Sequence, residues 1–203
     1  MRRLTVKIRV LIMVLVIAQL WGCSKDEGGP AAKTPAELLA EGWQAYASRN
    51  YQLAHDDFAA ATQGDANLVD AYNGSGWANA KLNVLAAAVA SFNTGLGKDA
   101  VNLQMRAGLS FVFNAQKLYT SSIAADTTVL HANSTWSFSR DTSINAADLH
   151  LLLAEDYFAL TPPDFASSKA QVLTLNPLFA ADIATLAGQT ALAAEIERLR
   201  GIY

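Results

Sequence analysis

"EGWQAYASRNYQLAHDDF" runs from Glu41 to Phe58, and "SGWANAKLNVLAAAVASF" runs from Ser75 to Phe92. Laid over each other at an offset of 34 residues, Gly42 meets Gly76, Trp43 meets Trp77, Ala54 meets Ala88 and Phe58 meets Phe92. The match continues outward, with Tyr51 against Leu85, Ala61 against Gly95, and Asp65-Ala66 against Asp99-Ala100. Trp is rare here, with four in 203 residues, so a Gly-Trp pair that recurs at a fixed interval is informative. A period of this size marks a chain built from one supersecondary unit stacked on copies of itself.

The composition says what that unit is made of. Residues of hydrophobic type make up 52% of the chain, many of them Ala, and only five are Pro. Ala loses no side-chain entropy on entering a helix, so such a chain favours helices. The spacing predicts helices at about 35–48 and 51–63, then at 69–82 and 85–97. The connections between them are short, which suits antiparallel neighbours. Thr34 can cap the first helix, with Pro35 at its first position.

The spacing and the alternation of small and large residues resemble the tetratricopeptide repeat (TPR), a 34-residue pair of antiparallel helices. The resemblance implies an all-α stack of helical hairpins. Gly42 and Gly76 would then be the small residues of first helices, and Ala54 and Ala88 those of second helices. Phe58 and Phe92 would fill the space between helices. Asp65-Ala66 and Asp99-Ala100 stand where the family often has Asp-Pro. A third, altered unit follows, with Ser110 in place of the glycine, Phe111 in place of the tryptophan, Ser122 at the small position and Asp126 in place of the phenylalanine. Helices are expected there at about 103–116 and 118–125. The repeat region therefore covers residues 35–126.

Residues 127–144 read as an irregular loop, rich in Ser, Thr, Asn and Asp, with an extended piece at Thr135 to Ser139. Trp136 and Phe138 alternate within it. They either fasten the loop to the body or present it to a ligand. Residues 145–203 form a C-terminal helical region. Asn145 and Asp148 make a near capping box for a helix with Leu149, Leu152, Leu153, Tyr157 and Leu160 on one face, ended by Pro162 and Pro163. Helices at about 164–174 and 177–187 follow, and Thr190 can cap the last. No clean 34-residue spacing joins these helices to the repeats.

The N-terminus carries a separate message. "MRRLTVKIR" is basic and "VLIMVLVIAQL" is apolar but too short to span a bilayer, which takes about 20 residues. Together they read as a secretory signal over residues 1–22. Leu20-Trp21-Gly22-Cys23 resembles a bacterial lipobox, with Trp21 where a small residue is usual. The resemblance implies cleavage before Cys23, lipidation of its thiol and acylation of its amine, hence a chain anchored in the bacterial outer membrane and facing the periplasm or the surface. Several acyl chains make such an anchor stable. Residues 23–34 form a flexible Gly, Pro and charge-rich tether. Ser24 to Glu27 also resembles the acidic export signal of some surface lipoproteins. Removing Arg2, Arg3, Lys7 and Arg9 from 15 basic residues leaves 11 against 18 acidic ones, which argues against a nucleic-acid partner.

Motifs of catalysis are missing from the sequence. There is no glycine-rich phosphate loop, CxxC, HExxH or Gly-x-Ser-x-Gly elbow. His55, His131 and His150 have no carboxylate at a spacing that would share a helix face with them. No cofactor, metal ligand or catalytic residue is expected. The resemblance does supply a candidate groove, because certain positions of each first helix line the concave face in the TPR family. Carried over residue by residue, they include Trp43, Tyr46, Asp70, Asn73, Trp77, Lys81, Phe111 and Asn114. Trp43, Trp77 and Phe111 form an aromatic row suited to peptide side chains or sugar faces. Asn73 and Asn114 can hydrogen-bond an extended backbone. The row is either open to a ligand or filled by the C-terminal helices. The expectation is a non-enzymatic adaptor that binds a protein or peptide of the envelope. The alternatives are capture of a small ligand such as a glycan, and a purely structural lipoprotein with its groove filled.

Overall fold

The computed structural model describes residues 32–203. The leader, Cys23 and the tether up to residue 31 lie outside those residues. Six helices follow the expected spacing: α1 (Pro35–Ala47), α2 (Tyr51–Gly64), α3 (Val69–Lys81), α4 (Leu85–Lys98), α5 (Leu103–Ala115) and α6 (Tyr119–Ala132). Thr34 caps α1 in a full capping box with Glu37, and Pro35 takes the first turn. Asn50 and Asn102 cap α2 and α5 through their side-chain oxygens.

Each hairpin turns through one residue with φ of 60°: Arg49, Asn83 and Lys117. In each turn the next amide reaches back to a carbonyl of the closing helix, as Asn50 N to Ala45 O, Val84 N to Asn79 O and Leu118 N to Phe113 O. These bonds satisfy carbonyls that the helix end would leave bare. The turn thus recurs three times at the repeat interval, including in the unit whose side chains have drifted.

The hairpins stack so that α1, α3 and α5 lie side by side as an inner layer. The second helix of each hairpin packs against its own first helix and the next one. Phe58 explains the glycine pattern. A Cβ on Gly42 would lie 2.6 Å from Phe58 Cε1, and one on Gly74 would be closer still to the same ring. Phe92 is held in the same way between Gly76 and Gly108. Each ring is completely buried and touches two successive first helices at glycines. One aromatic side chain therefore locks one joint. Burying a Phe is worth roughly 1.5–3 kcal/mol, and close packing on two backbones adds to it.

Beyond α6 the chain forms a small antiparallel hairpin, β1 (Ser137–Phe138) and β2 (Asp141–Asn145). It continues into α7 (Ala146–Ala159), α8 (Phe165–Leu175) and α9 (Leu186–Arg200). Helix α7 packs on α6 and lies beside α5, and α8 pairs with α7 as a fourth hairpin. Ser168 on α8 donates to the Ala154 carbonyl on α7, as Ser122 on α6 donates to Ser110 O on α5. The stack therefore continues past the repeats, and the inserted β-hairpin puts its first helix out of the 34-residue register. Helix α9 packs on α7 and α8 around Leu192, Ile196 and Leu199.

Three boundaries differ from expectation. Helix α6 runs to Ala132, through residues read as loop, because Val129 is completely buried in the core, while the Thr127 and Thr128 hydroxyls are satisfied by Ile123 O and Ala124 O of the preceding turn. The helix expected at about 177–187 does not form. There Asn176 and Asp182 side chains accept from Leu178 N and Ala184 N, which holds turns rather than a helix. The last helix begins earlier than Thr190, since Thr185 accepts from Gly188 N as its cap. Thr190 sits inside that helix and bonds back to Leu186 O.

Candidate functional site

The inner layer brings the aromatic row together, and the β-hairpin covers it. Phe138 is completely buried. Its ring stacks on Trp77 at 4.3 Å between centroids and 22° between planes. It meets Trp43 at 6.2 Å and Tyr46 at 6.1 Å edge-on. Trp136, close by on the same segment, is 2% exposed. The groove of the first two units is therefore filled by the chain itself. The filling element is the inserted hairpin and not the C-terminal helices, and Trp136 and Phe138 fasten it.

Polar groups hold the plug at its edge. Trp43 Nε1 donates to Asp70 Oδ2 at 2.9 Å, and Arg140 donates to the same oxygen at 2.8 Å. The Arg140 guanidinium lies 4.5 Å from the Trp43 ring centroid, a cation–π contact. Asn73 donates to the other Asp70 oxygen at 3.2 Å. Gln104 donates to Ser137 O at 3.3 Å, and Ala146 N to Trp136 O at 2.8 Å. The Asp70–Arg140 pair is partly exposed and contributes no more than about 1 kcal/mol. Burial of the aromatics stabilises the plug more than this ion pair does.

The eight groove positions thus divide. Trp43, Tyr46, Asn73 and Trp77 are buried beneath or beside the plug. Asp70 is half-buried and clamps Arg140. Burial pushes the Tyr46 phenol well above its usual range, with Tyr51 and Asp141 adding to the effect. Lys81 is exposed, and Phe111 and Asn114 are half-buried. These three border the part of the inner face that the plug leaves open.

That open part consists of two clefts. One, of about 350 Å³, is walled by Trp77, Lys81, Phe111, Ile144 and Asp148. The other, of about 400 Å³, is walled by Asn114, Tyr119, Phe158, Ile196 and Arg200. Ala115, itself exposed, lines both. Aromatic faces alternate along the strip with an amide, an ammonium and a guanidinium. Arg200 is held by Glu155 at 2.8 Å and Glu197 at 2.6 Å, so its charge is largely balanced.

Sequence reasoning missed two things at this site. Gly74 and Gly108 also stand 34 residues apart, and that signal was there to be read. The buried carboxyls Asp126 and Asp156 were not found as a pair, because the inserted hairpin separates them from the repeat register. Among the described residues, no group of three or more His, Cys, Asp and Glu could hold a metal ion. His150 Nδ1 is paired with Gln171 Oε1 at 2.8 Å, an ordinary structural contact. No described helix is long and apolar enough to cross a membrane.

No family model matches the chain, and no curated protein matches it. Solved structures do. A thermophilic TPR protein of Thermus thermophilus superposes with a TM-score of 0.55 at 17% identity, covering 82% of this chain and 81% of that one. The protein MamA MSR-1 C2 gives 0.53 at 11% identity over 84% and 82%. A tetratricopeptide repeat protein from Parabacteroides merdae ATCC 43184 gives 0.58 at 13% identity, over 83% of this chain and 61% of that one. Their identities are low, so the likeness concerns the backbone: the chain has an all-α, TPR-like fold, with one small β-hairpin inserted.

Proposed function

We propose that this chain is a lipid-anchored, non-enzymatic adaptor of the bacterial cell envelope, tethered to the outer membrane through Cys23. It binds a protein or peptide partner, as one component of an outer-membrane assembly. The observation that carries the reading is the strip at Ala115. It is the part of the TPR-like inner face left free by the plug, and it offers Phe111 and Phe158 for apolar side chains beside Asn114 for a peptide backbone. Capture of a glycan on the indole row is less favoured, because stacking needs open ring faces and Phe138 and Arg140 lie on them.

The test is affinity capture of the anchored protein from membranes, comparing wild type with Phe111→Ala and Lys81→Glu. Both side chains border the strip and neither is fully buried; because Phe111 also lies 6.0 Å from the Trp77 ring, the fold of each variant is checked by circular dichroism before capture. Loss of the same partner band in both variants supports the adaptor reading, and equal recovery removes it. The anchor is tested separately by Cys23→Ser, which is expected to move the protein out of the membrane fraction.

A further inference from the structure

Where the first two joints hold a phenylalanine, the third holds an acid. Asp126 on α6 occupies the repeat position of Phe58 and Phe92, and Ser110 on α5 occupies that of Gly42 and Gly76. Asp126 is completely buried, and neither of its carboxyl oxygens has a hydrogen-bond partner. Asp156 on α7 is equally buried. One of its oxygens accepts from Asn114 Nδ2 at 2.7 Å, and the other has no partner. Among the described residues, no Lys or Arg is ion-paired with either carboxyl.

Two ionised carboxylates in such a place are costly, because desolvation and mutual repulsion act together. Burial favours the neutral acid instead, and the polar neighbours Ser110, Ser122 and Asn114 offset it only in part. Ser110 and Ser122 stand beside Asp126 and Asp156, respectively. Each serine has a single hydroxyl proton, and each commits it to a backbone carbonyl, Ser110 to Ala107 O and Ser122 to Ser110 O. Neither hydroxyl proton is therefore left to stabilise a carboxylate. Of the other charged or titratable groups near the pair, none is ion-paired with it among the described residues. Helix α7 contributes Glu155, which repels Asp156, and Tyr157, whose phenol is pushed up by burial and then by the Asp164 and Asp156 charges; α9 contributes Arg200, already bound to Glu155. Helices α5 and α6 contribute the serines and Asn114 to this cluster, and Lys117 and Tyr119 line the cleft beside Asn114 and Glu155.

The placement of the pair gives it a role. Asp126 lies on the helix that enters the plug, and Asp156 lies on the helix that leaves it. We propose that Asp126 and Asp156 form a proton-held latch between α6 and α7, which keeps the inserted hairpin seated while the pair retains a proton and loosens it when both carboxyls ionise. Burial raises the acidity range of both, Asp126 well above the usual one and Asp156 up to about 6, so the latch opens as pH rises. This inference does not depend on the adaptor reading.

The test uses the full chain in detergent with Trp21→Phe, so that fluorescence reports Trp43, Trp77 and Trp136. Acrylamide quenching is measured from pH 5 to 9. The expected result is a severalfold rise in the quenching constant toward alkaline pH, abolished by Asp126→Asn with Asp156→Asn. Quenching that stays flat in the parent, or a rise that persists in the double variant, overturns the latch. Carbon-13 NMR of labelled aspartate carboxyls in the parent protein covers the case of a variant that fails to fold. Two resonances are expected to titrate at pH 6 or higher, and titration of every aspartate below about pH 5 overturns the proposal.

Discussion

The joints locked by Phe58 and Phe92 and the joint at Asp126 share one backbone plan and use opposite chemistry. In the first two, a ring is pressed onto glycines of two successive helices, and shape decides the fit. In the third, a buried carboxyl without a hydrogen-bond partner stands beside a serine and near a second carboxyl, and protonation decides it. An apolar joint is indifferent to pH and sensitive to volume. A polar one is more tolerant of volume and sensitive to proton concentration. The same supersecondary unit can therefore make a rigid seam or a conditional one by exchanging two side chains.

The largest effect that would sharpen the contrast is Phe92→Ala. It leaves a cavity between three helices, and the expected loss is about 3–5 kcal/mol by urea unfolding. A loss under about 1 kcal/mol would mean that the ring does not lock the joint. Phe138→Ala is expected to cost about 2–4 kcal/mol and to red-shift tryptophan emission, since Trp43 and Trp77 lose their cover. Unchanged emission would separate the plug from the aromatic row.

Next in size is overpacking. Gly76→Ala forces a methyl into Phe92 and is expected to cost about 1–3 kcal/mol, set against a helix-propensity gain of about 1 kcal/mol. Ser110→Ala at the matching place of the third joint adds no volume, and its expected cost is about 1 kcal/mol for the lost hydroxyl bond. Equal costs at the two sites would erase the distinction drawn between them.

The pH dependence follows with its sign. The folded carboxyls hold protons that the unfolded chain has already released, so stability from this pair is full below about pH 4. It declines as pH rises through about 6, where Asp156 ionises, and further as Asp126 follows. The expected decline is on the order of 1–3 kcal/mol between pH 5 and 8, read from urea midpoints. Stability that rises over that window would point to ionised, stabilised carboxylates. The smallest effect is at the turns: Lys117→Gly removes the strain of a positive φ and is expected to shift stability by less than about 1 kcal/mol, upward if at all.

The first six helices, with Gly42 and Gly76, were legible because a repeat states each contact more than once. Gly42 and Gly76 identify one face of the phenylalanine socket, and their recurrence makes the reading secure. The fourth hairpin was hidden by a single insertion, which moved α7 out of phase while leaving Ala154 and Ser168 in the relation of Ser110 and Ser122. Trp136 and Phe138 could be read as anchors, but nothing local says which surface they reach. For Phe138 that surface is Trp77, some 60 residues earlier, and only the stack brings it near. The aromatic row on the first helices was legible from the repeat phase, while the hairpin that covers it is a long-range contact that no periodicity encodes.

The plug is tied to the protein at both ends, through α6 and α7. A segment tethered in this way meets its groove at an effective concentration of order millimolar, whatever the protein concentration outside. A free peptide aimed at Trp43 and Trp77 competes against that figure at every encounter. Dilution does not help it, and affinity for the bare indoles understates what it needs. The unobstructed strip at Ala115 carries no such handicap, and a binder that spans both surfaces could use the second as a foothold from which to displace the first.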